Sequence, residues 1–178
     1  MKRSISLLLT MTLLLCVGCG ARRSLEERIN EKREALQDGF SFTADITTEL
    51  SDSVFTCTLD CSFENGETEM TVTAPELLAG ISARASDGEL SLSYGSLSLS
   101  MGAEGLSPMS AVPLITRALT RAHLTDVYAE GGDVVLRAYI SEDTSVLLRL
   151  NAETLDPVYG EIVCGGRAVI KCTFSNFK

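Results

Sequence analysis

The spacing of apolar positions changes once near the start of the chain. Leu25, Ile29, Lys32 and Leu36 recur at helical spacing, and Ser24-Leu25-Glu26-Glu27 has the form of a capping box. Gly39 stands where a C-terminal cap belongs. These signals predict an amphipathic helix over residues 24–38. Its polar face mixes both charge signs and lacks aromatics, which suits a helix packed on a sheet better than one lying in a membrane surface.

Beyond Gly39 the period becomes two. Phe40, Phe42, Ala44, Ile46, Thr48 and Leu50 alternate with polar neighbours, followed by Phe55, Cys57, Leu59, Cys61 and Phe63. Asn65-Gly66 is a hairpin signal, after which Met70, Val72 and Ala74 continue the alternation to Pro75. Ile81, Ala83 and Ala85 lead to a tight turn at Asp87-Gly88. Leu90, Leu92 and Tyr94 then meet Leu97, Leu99 and Met101 across Gly95-Ser96, with the parity switch that a two-residue hairpin loop produces. These are antiparallel strands with one wet and one dry face.

Residues 107–123 break the alternation. Ser107-Pro108 can open a helix with Met109, Val112, Ile115, Leu119 and Ala122 as its apolar stripe, kinked or delayed by Pro113. Strands resume with Val134, Leu136, Ala138 and Ile140, turn at Glu142-Asp143, and continue with Val146, Leu148 and Leu150. A last hairpin across Gly165-Gly166 pairs Cys164 with Arg167 and Val163 with Ala168, leaving Ala168, Ile170, Cys172 and Phe174 inward. The order is helix, about six strands, helix, four more strands. Strand twist curls so wide a sheet. The predicted fold is therefore α+β: a strongly curved, open (half) β-barrel of about ten antiparallel strands. An N-terminal helix and a mid-chain helix cover its concave face.

At 178 residues the chain is one domain's worth of sequence, with apolar residues at 45%. Its 24 acidic against 15 basic residues leave a net charge of −9, which opposes nucleic acid as a partner. The first residues stand apart. Met1-Lys2-Arg3 is a short basic region, and Ser4 to Val17 is an apolar stretch of signal-peptide length, too short to span a bilayer. Cys16 and Cys19 have C-x-x-C spacing. A redox pair needs a thioredoxin-like context that an apolar signal stretch lacks, and a zinc site needs a second ligand pair, whereas the one histidine is His123. Lipoprotein processing fits better: Val17-Gly18-Cys19 matches the cleavage site, although Cys16 occupies the place where Leu is more usual. The expectation is a lipoprotein signal peptide at 1–18, a tether at 19–23 and a single domain at 24–178. Cys19 would carry a diacylglyceryl anchor on the extracytoplasmic side of the cell membrane.

Three stretches carry a resemblance: "FSFTADITTEL" after the first helix, "TVTAPELLAGISA" in mid-sheet, and "RLNAETLDPVYGEIVCGGRAVIKCTFSNF", which ends in the Phe-x-x-Phe of Phe174 and Phe177. Together with the order of elements, they make nearly all of the chain after Cys19 similar to the LolA/LolB/LppX superfamily of bacterial lipoproteins. That resemblance implies a concave face that binds lipid or lipoprotein acyl chains, with no cofactor and no catalysis. It also implies an alternative: some clostridial spore-germination lipoproteins of similar fold bind a cell-wall amidase, so the partner would be an envelope protein and there would be no lipid cargo.

The inward residues Phe42, Ile46, Phe55, Leu59, Met70, Val72, Leu148 and Ile170 either line an acyl slot or fill a core; the pattern leaves both open. Arg117 and Arg121, one turn apart, are candidate contacts for an anionic headgroup at the slot mouth, or simply a solvated face. Of the four cysteines beyond Cys19, Cys57 and Cys61 are too far apart on one strand to join each other. At most one bridge, from Cys57 or Cys61 to Cys172, is compatible with the strand reading; the other reading is buried free thiols. His123 reads as an exposed helix-end residue. No G-x-S-x-G elbow, phosphate loop or metal-ligand set occurs, and no enzyme is read here.

Overall fold

The computed structural model describes residues 24–50, 53–86, 88–102 and 108–178. Residues 1–23, where the signal peptide, Cys19 and tether are expected, lie outside the described residues.

The capping box forms as its residues dictate. The Ser24 hydroxyl accepts from the Glu27 amide at 3.1 Å, and the Glu27 carboxylate accepts from the Ser24 amide at 2.9 Å. Helix α1 (Leu25–Ala35) is shorter than the spacing predicts. Gln37 and Asp38 instead donate to the carbonyls three residues back, on Glu34 and Ala35, so the end winds into tighter turns before Gly39.

Among the described residues eleven strands follow: β1 (Phe40–Leu50), β2 (Ser53–Glu64), β3 (Glu67–Ala74), β4 (Ser82–Ser86), β5 (Glu89–Tyr94), β6 (Leu97–Gly102), β7 (Leu124–Glu130), β8 (Asp133–Tyr139), β9 (Thr144–Asn151), β10 (Pro157–Cys164) and β11 (Arg167–Ser175). Helix α2 (Pro108–Thr120) lies between β6 and β7 and contains Pro113 within its length. The expected hairpins form with the expected partners: Glu64 with Glu67, Tyr94 with Leu97, and Cys164 with Arg167. At the first of these turns Asn65 and Gly66 take φ of 53° and 86°, a conformation open to few residues other than Gly and Asn.

The strand beyond the expected ten is β7. Its apolar positions are sparse, most of it is exposed, and its pairing with β8 slips between Leu124 and Asp126, so no clean alternation marks it.

All eleven strands form one antiparallel sheet in the order β6-β5-β4-β3-β2-β1-β11-β10-β9-β8-β7. Each half is a meander, and the two meet where the first and last strands pair, Ile46 opposite Cys172 and Thr48 opposite Ile170. Beyond β11, Ser41 and Lys178 exchange two backbone hydrogen bonds of 3.0 Å. The ends, β6 and β7, do not pair with each other, so the barrel is open.

Those ends lie ten strand spacings apart, about 48 Å if the sheet were flat. The connection that joins them, residues 103–123, has 13 residues in α2. At most it reaches about 20 Å through the helix and ~27 Å through its extended remainder. A flat sheet would pull it taut, so the sheet curls and α2 crosses it. Consistent with this, α2 packs against β1, β2, β3 and β9, and α1 packs against α2 and β7.

The apolar face of the sheet and the buried side of α2 form one core. Ala111, Val112, Ile115, Ala118 and Leu119 of the helix meet Ile46, Leu59, Met70, Leu148, Ile162 and Ile170 of the strands. At one end Phe40, Phe42, Phe63, Phe174 and Phe177 form an aromatic cluster with ring centroids 5.3–6.1 Å apart. Gly160, opposite Leu148 and Cys172, leaves room for it: a Cβ there would stand 3.0 Å from Leu148 Cδ2 and 3.2 Å from Phe174 Cε2.

Three basic side chains of α1 tie the helix down. Arg33 donates to the carbonyls of Leu119 and Ala122, the unpaired C-terminal end of α2, and burial holds its guanidinium below the ordinary arginine value. Arg28 donates to Ala152 and Glu153, and Lys32 pairs with Asp156 at 2.7 Å while lying 5.5 Å from the Phe177 ring centroid.

Candidate functional site

The curl of the sheet and the crossing of α2 leave a cleft of about 830 Å³ along one side of the helix. That is within the range of small-molecule sites. Three turns distant in sequence build it with α2. Phe63 and Thr68 come from the β2–β3 hairpin, Ala85, Ser86 and Glu89 from the β4–β5 turn, and Ile140 and Thr144 from the β8–β9 turn.

Pro113, Leu114, Thr116, Arg117, Thr120 and Arg121 are the helix's contribution. Helical spacing explains why both arginines are there: residues four apart share a side, next to the stripe that faces the core. Both are exposed, and among the described residues neither makes an ion pair or a side-chain hydrogen bond. Glu89 is the one carboxylate in the lining.

Apolar surface from Phe63, Leu114 and Ile140 adjoins these charges. Deeper in, Thr68, Thr116 and Thr120 are buried. Thr120 donates to the Thr116 carbonyl at 2.8 Å, whereas the Thr116 hydroxyl has no partner, an uncommon state for a buried polar group. The cleft is thus amphipathic, with apolar walls, two cations at its edge and an unsatisfied hydroxyl inside.

The eight inward residues expected to line a slot or fill a core sit apart from this cleft, and none is part of its lining. Phe42, Ile46, Leu59, Met70, Val72, Leu148 and Ile170 are buried in the central core, and Phe55 is half-buried against it. Arg117 and Arg121 do lie at the cleft. The remaining lining, notably Leu114, Thr116 and Ile140, was not singled out, because no local spacing links α2 to three remote turns. The arginine pair was the one signal in the sequence. His123 is exposed in a second, more polar hollow of about 510 Å³ between α1 and the start of β7.

The cysteines follow the second of the two readings, that of buried free thiols. Cys57 lies opposite Ile46, which lies opposite Cys172, so β1 separates the two by two strand spacings, ~10 Å. Cys61 lies opposite Phe42, on the far side of the same strand. No bridge to Cys172 forms at that range, and the four cysteines among the described residues are free, with Cys57, Cys61 and Cys172 buried. Burial, reinforced by Cys57, pushes the Cys172 thiol up to about 12. Burial and then Asp60 raise Cys61; burial and then Asp45 raise Cys57. These thiols behave as small apolar groups. Among the described residues no group of His, Cys, Asp and Glu is placed to hold a metal, and no helix is long and apolar enough to cross a membrane.

Comparison with known proteins bears on the fold. No protein-family model matches the chain, and no curated protein does. Solved structures match along most of its length. A chain of the complex between the CwlD amidase and the GerS lipoprotein of Clostridioides difficile is 19% identical with a TM-score of 0.51, over 88% of this chain and 97% of that one. A LolA superfamily protein from Nitrosomonas europaea is 15% identical at 0.47, over 85% and 91%. The lipoprotein LppX of Mycobacterium tuberculosis is 12% identical at 0.41, over 84% and 91%. At such identities the likeness is one of fold alone, and of these three it is carried by the chain matched at a TM-score of 0.51.

Proposed function

We propose that this chain is a non-enzymatic lipoprotein, anchored through Cys19 to the extracytoplasmic side of the cell membrane. It binds an amphiphile with an apolar chain and an anionic head, and its two helices close the concave face of the half-barrel. The observation that carries this reading is the cleft, where the unpaired Arg117 and Arg121 border the apolar surface of Phe63, Leu114 and Ile140. The arginines would hold the head, and the chain would run along the side of α2 over Phe63, Leu114 and Ile140. The eight core residues, Phe42 to Ile170, would meet that chain only if α2 moved off the sheet, since they are now packed.

Native mass spectrometry of the purified protein, followed by lipid extraction, tests the reading. An acyl species should co-purify, and the double change Arg117→Ala with Arg121→Ala should reduce anionic lipid binding tenfold or more. A protein that carries no lipid and gains none from anionic vesicles sinks it. Cys19→Ala should release the protein from membranes; continued attachment would sink the anchor.

A second reading is favoured by the likeness at a TM-score of 0.51 to a chain of an amidase–lipoprotein complex. In it the chain is an envelope interaction module that binds a partner protein, such as a cell-wall hydrolase, without lipid cargo. Lipid-free protein that co-purifies with a single envelope protein would favour this reading over the first.

A further inference from the structure

The sheet's two edges are protected differently. Edge strands offer unpaired backbone groups to other chains, and charges or bulges usually blunt them. At one end β7 carries Asp126 and Glu130, slips register after Leu124, and is packed by α1. At the other end β6 carries no charge and its pairing with β5 has no register slip. From Leu90 to Gly102 no residue is charged, in a chain of net charge −9. On its outer side β6 meets β5 through Ser91 and Ser100, whose hydroxyls are 3.2 Å apart. On the apolar side Leu97 and Leu99 are 73% and 58% exposed, next to Tyr94 at 55%.

We infer that β6 pairs antiparallel with β6 of a second copy. This goes beyond amphiphile binding and does not depend on it. The two-residue turn makes Tyr94 and Leu97 a hydrogen-bonded pair, and the alternation of an antiparallel ladder makes Leu92 and Leu99 the next. The backbone groups of Ser98 and Ser100 therefore point away from β5. A two-fold axis through Leu99 sets Ser98 opposite Ser100 of the second copy and Ser100 opposite its Ser98, completing both hydrogen-bonded pairs. It also sets Leu99 against Leu99 of the second copy on the apolar side.

Charge selects the occupant. A two-fold contact opposes each patch to itself, which an acidic protein tolerates only where it carries no charge. An uncharged strand gives a basic or acidic partner nothing to complement. Paired about a two-fold, β7 would bring like carboxylates together. Among the described residues only Tyr94, Leu97 and Leu99 add exposed large apolar side chains here, far fewer than the roughly 20–30 residues a side of a stable interface, so the dimer is weak and reversible.

Sedimentation velocity of the purified protein over a hundredfold concentration range tests this. Wild type should shift reversibly from monomer to dimer. Ser98→Pro, which removes an outward N–H, and Leu99→Lys, which sets ammonium groups opposite each other, should both stay monomeric with thermal midpoints within about 2 °C of wild type. Asp126→Lys at the other edge should leave the dimer unchanged. Leu99→Cys should give a covalent dimer on a non-reducing gel under mild oxidation that wild type, with its half-exposed Cys164, does not give. The proposal is overturned if wild type stays monomeric throughout, as it would if the edge served a strand of another protein. A dimer that survives both β6 changes, or is lost with Asp126→Lys, overturns it equally.

Discussion

The apolar face of the sheet has two regions built on the same alternation but finished differently. At the centre β1, β2 and β11 present Ile46, Leu59 and Ile170 to α2, none more than 1% exposed. At the flank β5 and β6 present Leu92, Leu97 and Leu99; Leu92 is half-buried, and the other two are 73% and 58% exposed. Burial at the centre comes from the helix crossing there; on the flank it ends within β5, where Leu90 is 1% exposed and Leu92 only half-buried. Alternation states which side of a strand is apolar. It does not state whether anything packs on that side.

The largest contrast is expected from truncating side chains in the two regions. Leu59→Ala at the centre should cost about 3 kcal/mol, lowering the thermal midpoint by roughly 6–12 °C, because the site is closed on all sides. Gly160→Ala should cost about 2 kcal/mol, because the added methyl presses on Leu148 and Phe174. A neutral result would mean the aromatic end of the core is loose.

The thiols report on the same boundary through pH. A buried thiol raised above its ordinary value of 9.0 stays protonated in the folded state when the unfolded chain would release its proton. That stabilisation is full below about pH 9 and lost as pH rises towards 12. Tyr159, raised to about 12 by burial and by its 2.7 Å hydrogen bond to Glu161, titrates in the same window. The thermal midpoint should therefore fall steadily between those limits. At pH 8 a thiol reagent should label Cys164 at once and Cys57, Cys61 and Cys172 only on unfolding. Prompt labelling of all four would break the distinction between centre and surface.

The smallest effect belongs to the flank. Leu97→Ser should change stability by less than about 0.5 kcal/mol by chemical denaturation, since its side chain leaves no cavity. A loss several times larger would show that the flank is packed in solution.

Much of the fold was legible because its signals are local. Asn65-Gly66, Gly95-Ser96 and Gly165-Gly166 specify turns, and turns set register, so the partners across each hairpin followed from residues a few positions apart. The capping box marked the start of α1 for the same reason. Strand β7 was missed because an exposed, bulged edge strand has no dry face to mark it. The cleft was legible only at Arg117 and Arg121, whose separation is a helical repeat; Phe63, Glu89 and Ile140 join them through the curl of the sheet. The choice between one bridge and free thiols stayed open in the sequence, because the facing of Cys57 and Cys172 does not show that β1 runs between them.

The sequence alone determined where strands turn, which side of each is apolar, and that the sheet is wide enough to curl, because those properties depend on near neighbours and on chain geometry. Only the tertiary structure decided which apolar residues are sealed, which stay bare, and where space remains. The path of α2 from one edge of the sheet to the other sets all three. It packs the centre, leaves Leu97 and Leu99 of β6 bare, and leaves the amphipathic cleft along its side.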